Sequence, residues 1–294
     1  MSDVAHAAQL IRSGRLVAFP TETVYGLGAN ALEAAAVERI FTAKQRPHTS
    51  PLIVHVDSIE MAKRYAAEWP DTAQRLAARY WPGPLSLVVR KTADIPDIVT
   101  AGLPTVGLRM PDHPLALELI RASGVPIAAP SANRFTELSP SEAQHVPELL
   151  ADFVLDGGPA RVGIESTVLA LFDRPTLLRP GVIPLPEIEA VIGPVVFGQA
   201  DAGAHVSPGM HPRHYRPRTP FYLLANGEAA PAGRGRVINT SDDPRAYAAR
   251  LYHTLHELDA QGLDWIAAEM PPDSPEWAGV RDRLQRAASE RTGR

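Results

Sequence analysis

Lys44 and Arg46 stand one residue apart, with Pro47 directly after them. Two cations at i and i+2 on a helix do not share a face. A proline, however, disfavours helical geometry at the residue before it, so the chain turns at Arg46 and both heads can converge. A compact ammonium beside a bidentate guanidinium suits a phosphate. The plainer reading is that two cations at a helix C-terminus complement its dipole, and spacing alone favours it. Only Lys44, Lys63 and Lys91 of the 29 basic residues are lysine. A lysine kept in an arginine-using chain hints at a need for a compact charge.

Three further clusters invite chemistry. In Phe19-Pro20-Thr21-Glu22-Thr23-Val24-Tyr25-Gly26-Leu27-Gly28, hydroxyl, carboxylate and phenol groups crowd the end of a strand, where open α/β sheets bind ligands; a capped polar turn is the alternative. Its glycines imitate a dinucleotide fingerprint, but they do not follow the strand directly and no acidic strand end follows at the required distance. Pro130-Ser131-Ala132-Asn133 combines small residues, which let a ligand approach the backbone, with polar side chains; taken alone, an ordinary turn is the favoured reading. Arg109 and Arg179 each close a strand, as anion ligands or as surface charges. His211, Arg213, His214, Tyr215, Arg216 and Arg218 fall within eight residues and suit phosphate or solvated charge; no cysteine or nearby carboxylate completes a metal site there. His253 and His256 read as surface residues of a helix, and no metal ligand is nominated anywhere. A P-loop and a nucleophile elbow are both absent from the sequence.

The elements that must position these groups follow from periodicity. Helices are expected at 5–12, 32–44, 59–67, 72–80, 114–122, 141–150 and 186–192, and strands at 16–19, 52–56, 85–90, 105–110, 126–129, 153–155, 166–171 and 176–179. This interleaving implies an α/β domain with a twisted mixed sheet and flanking helices, antiparallel where strands follow without a helix between. Residues 199–219, rich in proline and glycine, read as a linker. Beyond it, strands at 221–224, 237–240 and 265–268 and helices at 244–260 and 275–288 form a small α/β C-terminal domain. The expected organisation is therefore a first domain over 1–198, a linker over 199–219 and a short second domain over 220–294.

Composition narrows the class. Of 294 residues, 45% are hydrophobic and 21% charged, which suits a globular core. The absence of cysteine excludes disulfides, thiolate metal sites and a thiol nucleophile. The N-terminus lacks a signal-peptide layout, and no apolar run approaches the roughly 18 residues of a membrane span, so a cytoplasmic protein is expected. The net charge of −4 argues against a protein that coats nucleic acid, so direct nucleic-acid binding is expected to be weak or absent.

Together and in order, FPTETVYGLG, AKQRP, PLIVHV, WPGPLSLVV, TVGLRMP, PIAAPSAN, GGPARVGIESTVL and LLRPG closely resemble the YrdC-type L-threonylcarbamoyl-AMP synthases over about residues 14–183. SPGMHPRHYRP is similar to the interdomain segment of the longer members, which carry a second, Rossmann-like domain. The resemblance implies that L-threonine, bicarbonate and ATP, with Mg²⁺, give threonylcarbamoyl-AMP, pyrophosphate and water, a separate tRNA-modifying transferase complex using the product. It assigns Lys44 and Arg46 to catalysis at the phosphates, and Thr23, His55, Arg109, Ala129 and Thr167 to threonine. Arg46, Ser50, Thr105, Ser131, Asn133, Ser139, Arg179 and Tyr215 would hold ATP, Tyr215 within a lid. Other classes weighed against this are an RNA-binding module, a carbamoyl-AMP-forming relative and a paralogue that binds nucleotide without turnover.

Overall fold

Ser2 accepts the Ala5 amide through its hydroxyl and starts α1 (Asp3–Arg12), whose Val4, Ala7, Ala8 and Ile11 form one buried face. In the computed structural model, which describes residues 2–198, 215–225 and 228–288, the chain continues through β1 (Val17–Phe19), β2 (Gly26–Asn30), α2 (Ala34–Lys44), β3 (Ile53–His55), α3 (Ile59–Tyr65), α4 (Asp71–Tyr80) and β4 (Leu85–Arg90). Next come α5 (Asp97–Thr100), β5 (Thr105–Arg109), α6 (Pro114–Ser123), β6 (Ile127–Ala129), β7 (Phe153–Val154), β8 (Thr167–Ala170), β9 (Thr176–Arg179), α7 (Leu185–Ile192) and β10 (Val196–Phe197). The strands join in one mixed sheet, ordered β10-β9-β8-β4-β5-β3-β6-β2-β1-β7. As the absence of a helix between them implies, β8 pairs antiparallel with β9; β4 also pairs antiparallel with β5, although the short α5 lies between them, while β4 and β8 run parallel.

The sheet buries both faces. Val17 and Phe19 of β1 pack with α1 and α6, whereas Ala18 between them joins the larger core with α2, α4 and α7, the period-2 alternation of a strand. Gly28 lies in the interior of β2, where a Cβ would come within 2.8 Å of Phe19 and Ile127. The Gly26–Gly28 pair is therefore a close-packing device in a strand, and β2 itself was not expected from the sequence.

The second domain is a three-stranded parallel sheet, β11 (Phe221–Leu224), β12 (Gly235–Ile238) and β13 (Trp265–Glu269) in the order β11-β13-β12, with α8 (Pro244–Asp259) and α9 (Ala278–Ala287). Asp243 caps α8 by accepting the Arg245 and Ala246 amides, ahead of a proline at its first position. The two domains meet backbone to backbone. A Cβ on Gly163 would lie 2.3 Å from the Ala248 carbonyl oxygen, and one on Gly279 would lie 2.4 Å from that of Gly181.

One expected helix is corrected. Residues 141–150 hold a single 3₁₀ turn at Ala143–His145. Pro140 and Pro147 bracket the segment and leave too few residues to repay helix nucleation. The Ser141 hydroxyl bonds His145 Nδ1 at 3.3 Å in place of capping a helix. Of the linker, 199–214 lies outside the described residues, and with it His211, Arg213 and His214. Its end is tied down: the Arg216 amide donates to the Thr136 carbonyl in a backbone β-bridge beside Glu137, and the Arg218 and Thr219 amides donate to Asp259. Among the described residues no helix is long and apolar enough to cross a membrane.

Candidate active site

The turn between β1 and β2 folds around one hydroxyl. Thr21 Oγ1 donates to the Val24 carbonyl at 2.7 Å and accepts the Thr23 and Val24 amides. This turn sets Thr23 Oγ1 to accept from Arg109 Nη2 at 2.9 Å, and Glu22 to pair with the same Nη2 at 2.8 Å. Arg109 Nε reaches the Gly83 carbonyl at 3.4 Å. A guanidinium carries five N–H groups, and among the described residues Nη1 donates to none. Parallel pairing of β3 with β5 sets His55 beside Arg109. Burial, then the Arg109 charge, pulls the His55 pKa down to about 3, so its imidazole is neutral at pH 7.

At the end of α2 the chain reverses at Gln45, which adopts φ 52°. Lys44 is 1% exposed, and its Nζ donates to the Ser131 carbonyl at 2.6 Å and to the Asn133 carbonyl. It is no solvated charge on a helix dipole: burial, then Arg46, lowers its pKa well below the ordinary lysine value. Lys44 fastens the 131–133 loop from behind, while Arg46 turns to the front. Arg46 Nη2 donates to the Pro51 carbonyl, and its guanidinium lies over the Phe135 ring. Asn133 uses its amide on the Arg134 and Glu137 carbonyls and so shapes the same loop.

The opposite wall is built on Glu165. Its oxygens accept from Ser139 Oγ at 2.6 Å, Arg283 Nε at 2.8 Å and Tyr252 Oη at 3.2 Å. Burial alone would raise this carboxyl; the Arg283 and then the Arg179 charge outweigh it and hold its pKa at about 2. Arg179 Nε donates to the Ser166 carbonyl and its Nη2 to the Ser166 hydroxyl. Tyr215, 1% exposed, packs against Tyr252 at 5.8 Å and beneath the Arg283 guanidinium at 5.4 Å. Tyr252 belongs to α8 and Arg283 to α9, so the second domain completes this wall.

Thr23, Arg46, His55, Arg109, Ala129, Ser131, Arg179 and Tyr215 line one cavity of about 60 Å³, with Thr21, Glu165 and Ser166 among their neighbours. Lys44, Asn133, Ser139 and Thr167 are not part of that lining. The first three brace it through the bonds above, and Thr167 is buried with its hydroxyl 3.4 Å from the Ile183 carbonyl. Two residues are not brought to the cavity. Ser50 is buried in the turn after Arg46, and Thr105 begins β5, at the far end from Arg109, where it lines a separate small pocket. Sequence reasoning missed Glu165, Tyr252 and Arg283. Glu165 lay within a quoted motif, but nothing in the local pattern of α9 singles out Arg283.

The chain matches the Sua5–YciO–YrdC family model, described as telomere recombination, over residues 9–181. A second model, described as the C-terminal domain of threonylcarbamoyl-AMP synthase, matches residues 183–289. It is 42% identical over 322 residues to the threonylcarbamoyl-AMP synthase of Pyrococcus abyssi, covering 97% of this chain and 94% of that protein. Identity to the Bacillus subtilis threonylcarbamoyl-AMP synthase is also 42%, over 323 residues, 98% of this chain and 93% of that one. The fold is similar to the crystal structure of P. abyssi Sua5 complexed with L-threonine, with a TM-score of 0.90 at 40% identity, covering 97% of this chain and 94% of that one.

Proposed function

The chain belongs to the Sua5–YciO–YrdC family in its two-domain form, and from that premise we propose that it is an L-threonylcarbamoyladenylate synthase. The reaction joins L-threonine, bicarbonate and ATP into threonylcarbamoyl-AMP, releasing pyrophosphate and water. The amine of threonine attacks bicarbonate, water leaves, and an oxygen of the resulting carbamate attacks the α-phosphorus of ATP as pyrophosphate departs. The observation that carries this reading is one cavity with two groups of cations: Arg109 beside the Thr23 hydroxyl and a neutral His55, and Arg46 with Arg179 beside Tyr215.

On this reading Arg109 Nη1 takes the threonine carboxylate, a charge-assisted contact, while Thr23, His55 and the Ala129 backbone take the hydroxyl and ammonium groups. Arg46 and Arg179 hold the phosphates and offset charge that builds as pyrophosphate leaves. Lys44 acts by holding the Ser131–Asn133 loop, and Thr167 and Ser139 support the opposite wall. Ser50 and Thr105 would reach the nucleotide only where it extends beyond this cavity. One water needs roughly 10–15 Å³, so about 60 Å³ admits an amino-acid head but not a nucleotide, and we propose that Tyr215 withdraws to admit ATP and then covers it. The one carboxylate among the described lining residues, Glu165, is committed to Arg283, Ser139 and Tyr252. The residues present therefore do not form a magnesium site, and Mg²⁺ would come and go on the triphosphate. The product is consumed by a separate tRNA-modifying transferase, and the proposed compartment of the reaction is the cytoplasm.

The test is pyrophosphate release from ATP and bicarbonate, with and without L-threonine, in the wild type and in Arg109→Ala. Threonine-dependent release in the wild type, with a threonine KM raised at least tenfold in the variant, is expected. Release indifferent to threonine would remove the synthase reading and favour a carbamoyl-transferring relative.

A further inference from the structure

Away from the cavity, the seam between the domains gathers ligating side chains from both sides. Glu142 and His145 lie on the short 3₁₀ segment of the first domain, and His253 comes from α8 of the second. One ligand atom from each lies within 4.8 Å of the others. His253 and His256 are thus half-buried seam residues, contrary to the surface positions expected from the sequence. His256 stacks on His145 with centroids 4.0 Å apart and planes at 10°, and its Nε2 donates to the Ser139 carbonyl.

Three details single out this trio. His253 Nδ1 is buried and lies 2.7 Å from Glu142 Oε1, yet no hydrogen bond of acceptable geometry joins them. On the other side of the ring, Nε2 lies 3.3 Å from a Glu257 oxygen. The Nδ1 edge thus faces the first-domain carboxylate while lacking a hydrogen-bond partner of its own. Finally, Gln144 donates to Glu142 Oε2 at 2.7 Å and so turns Oε1 toward the histidine. A cation bound by both groups satisfies the buried nitrogen and the carboxylate together.

We propose that Glu142, His145 and His253 form a site for a divalent transition ion of the Zn²⁺ class, clamped across the interdomain seam. Two imidazoles and one carboxylate are a donor set that suits zinc. Ligand bonds of roughly 2.0–2.2 Å set tetrahedral donors about 3.4 Å apart, so side-chain rotation must open the Glu142–His253 contact from 2.7 Å and bring in donors that stand up to 4.8 Å apart. His145 and His253 also line a cleft of about 650 Å³, which gives a hydrated ion a path in. The site stands apart from the catalytic reading, because none of its residues lines the cavity. It is nonetheless coupled to it through neighbours: Ser139 and Tyr252, close in sequence to the ligands, both hold Glu165. An ion here fixes the two segments that brace the active-site wall.

The experiment uses the full chain, stripped with a chelator and dialysed. Zn²⁺ is titrated by calorimetry and Co²⁺ by its visible absorption, in the wild type, in Glu142→Gln and in His253→Ala. Circular dichroism confirms that each variant is folded. The expected result is one ion per chain, tetrahedral Co²⁺ bands, and a Tm raised by Zn²⁺ in the wild type, with affinity at least tenfold weaker and no Tm shift in either variant. Absence of saturable one-to-one binding, or binding kept at full strength in both folded variants, overturns the proposal.

Discussion

Lys44 and Arg46 divide the labour that their spacing suggested they would share. The reversal at Gln45 sends Arg46 to the cavity and leaves Lys44 behind the 131–133 loop. The strings around Thr23, Arg46, Arg109 and Ser131 were legible in the sequence because each packs its polar groups into a few residues at the end of a regular element. The role of Lys44 as a strut was not legible, since it depends on carbonyls 87 and 89 residues away. The two cations should therefore fail differently. Lys44→Met leaves two carbonyls without their donor, at about 1–3 kcal/mol each, so its urea midpoint and its turnover fall together. Arg46→Ala gives up a single carbonyl contact and should keep most of the stability while turnover drops on the order of 10²-fold, the scale of losing one transition-state donor. Equal loss of stability in the two variants, read by urea unfolding beside pyrophosphate release, would contradict this division.

At the scale of elements, the sheet and most helices were readable from periodicity, and the exceptions have local causes. β2 escaped because its glycines carry no β signal and are fixed by the Phe19 ring pressed on them. The segment at 141–150 has a helical look that its bracketing prolines forbid, and it serves as a seam. Helix α9 was expected, but its function was not: Arg283 meets Glu165 across 118 residues of sequence. Its guanidinium is fully buried and also donates to the Pro180 and Glu165 carbonyls. Removing one partner of such a pair strands a buried charge, which costs about 3–5 kcal/mol. Arg283→Met should lose that much stability and weaken ATP binding, because Glu165 and Arg179 then settle against each other. Adding Glu165→Gln should recover part of the stability, as a double-mutant cycle by urea unfolding would show. Strictly additive losses would mean that the pair does not couple the domains.

In the whole molecule, buried titratable groups face one another across both the cavity and the seam, and three of them, His55, His256 and Glu165, are all shifted down. Burial holds His55 at about 3 and His256 at about 4, below the ordinary histidine value of 6.5, and Arg283 and Arg179 hold Glu165 at about 2 against 4.5. Each folded group binds its proton less readily than in the unfolded chain. Stability is therefore complete above pH 6.5, declines as the pH falls through the histidine window toward 4 and 3, and loses the Glu165 contribution between 4.5 and 2. The urea midpoint should drop steadily from pH 7 to pH 4.5, and the slope should flatten in a His55→Gln/His256→Gln double variant. A wild-type midpoint independent of pH over that range would remove this account of the buried groups.

The synthase reading itself is tested most directly by following the carbon. The full-length protein is given ATP, L-threonine and ¹³C-bicarbonate, quenched within a turnover, and the adenylate is weighed by mass spectrometry. A product carrying AMP, threonine and one labelled carbon, absent when L-threonine is omitted, is the expected result. Labelled adenylate without threonine, or AMP alone at every time point, would contradict the claim that this cavity joins all three substrates.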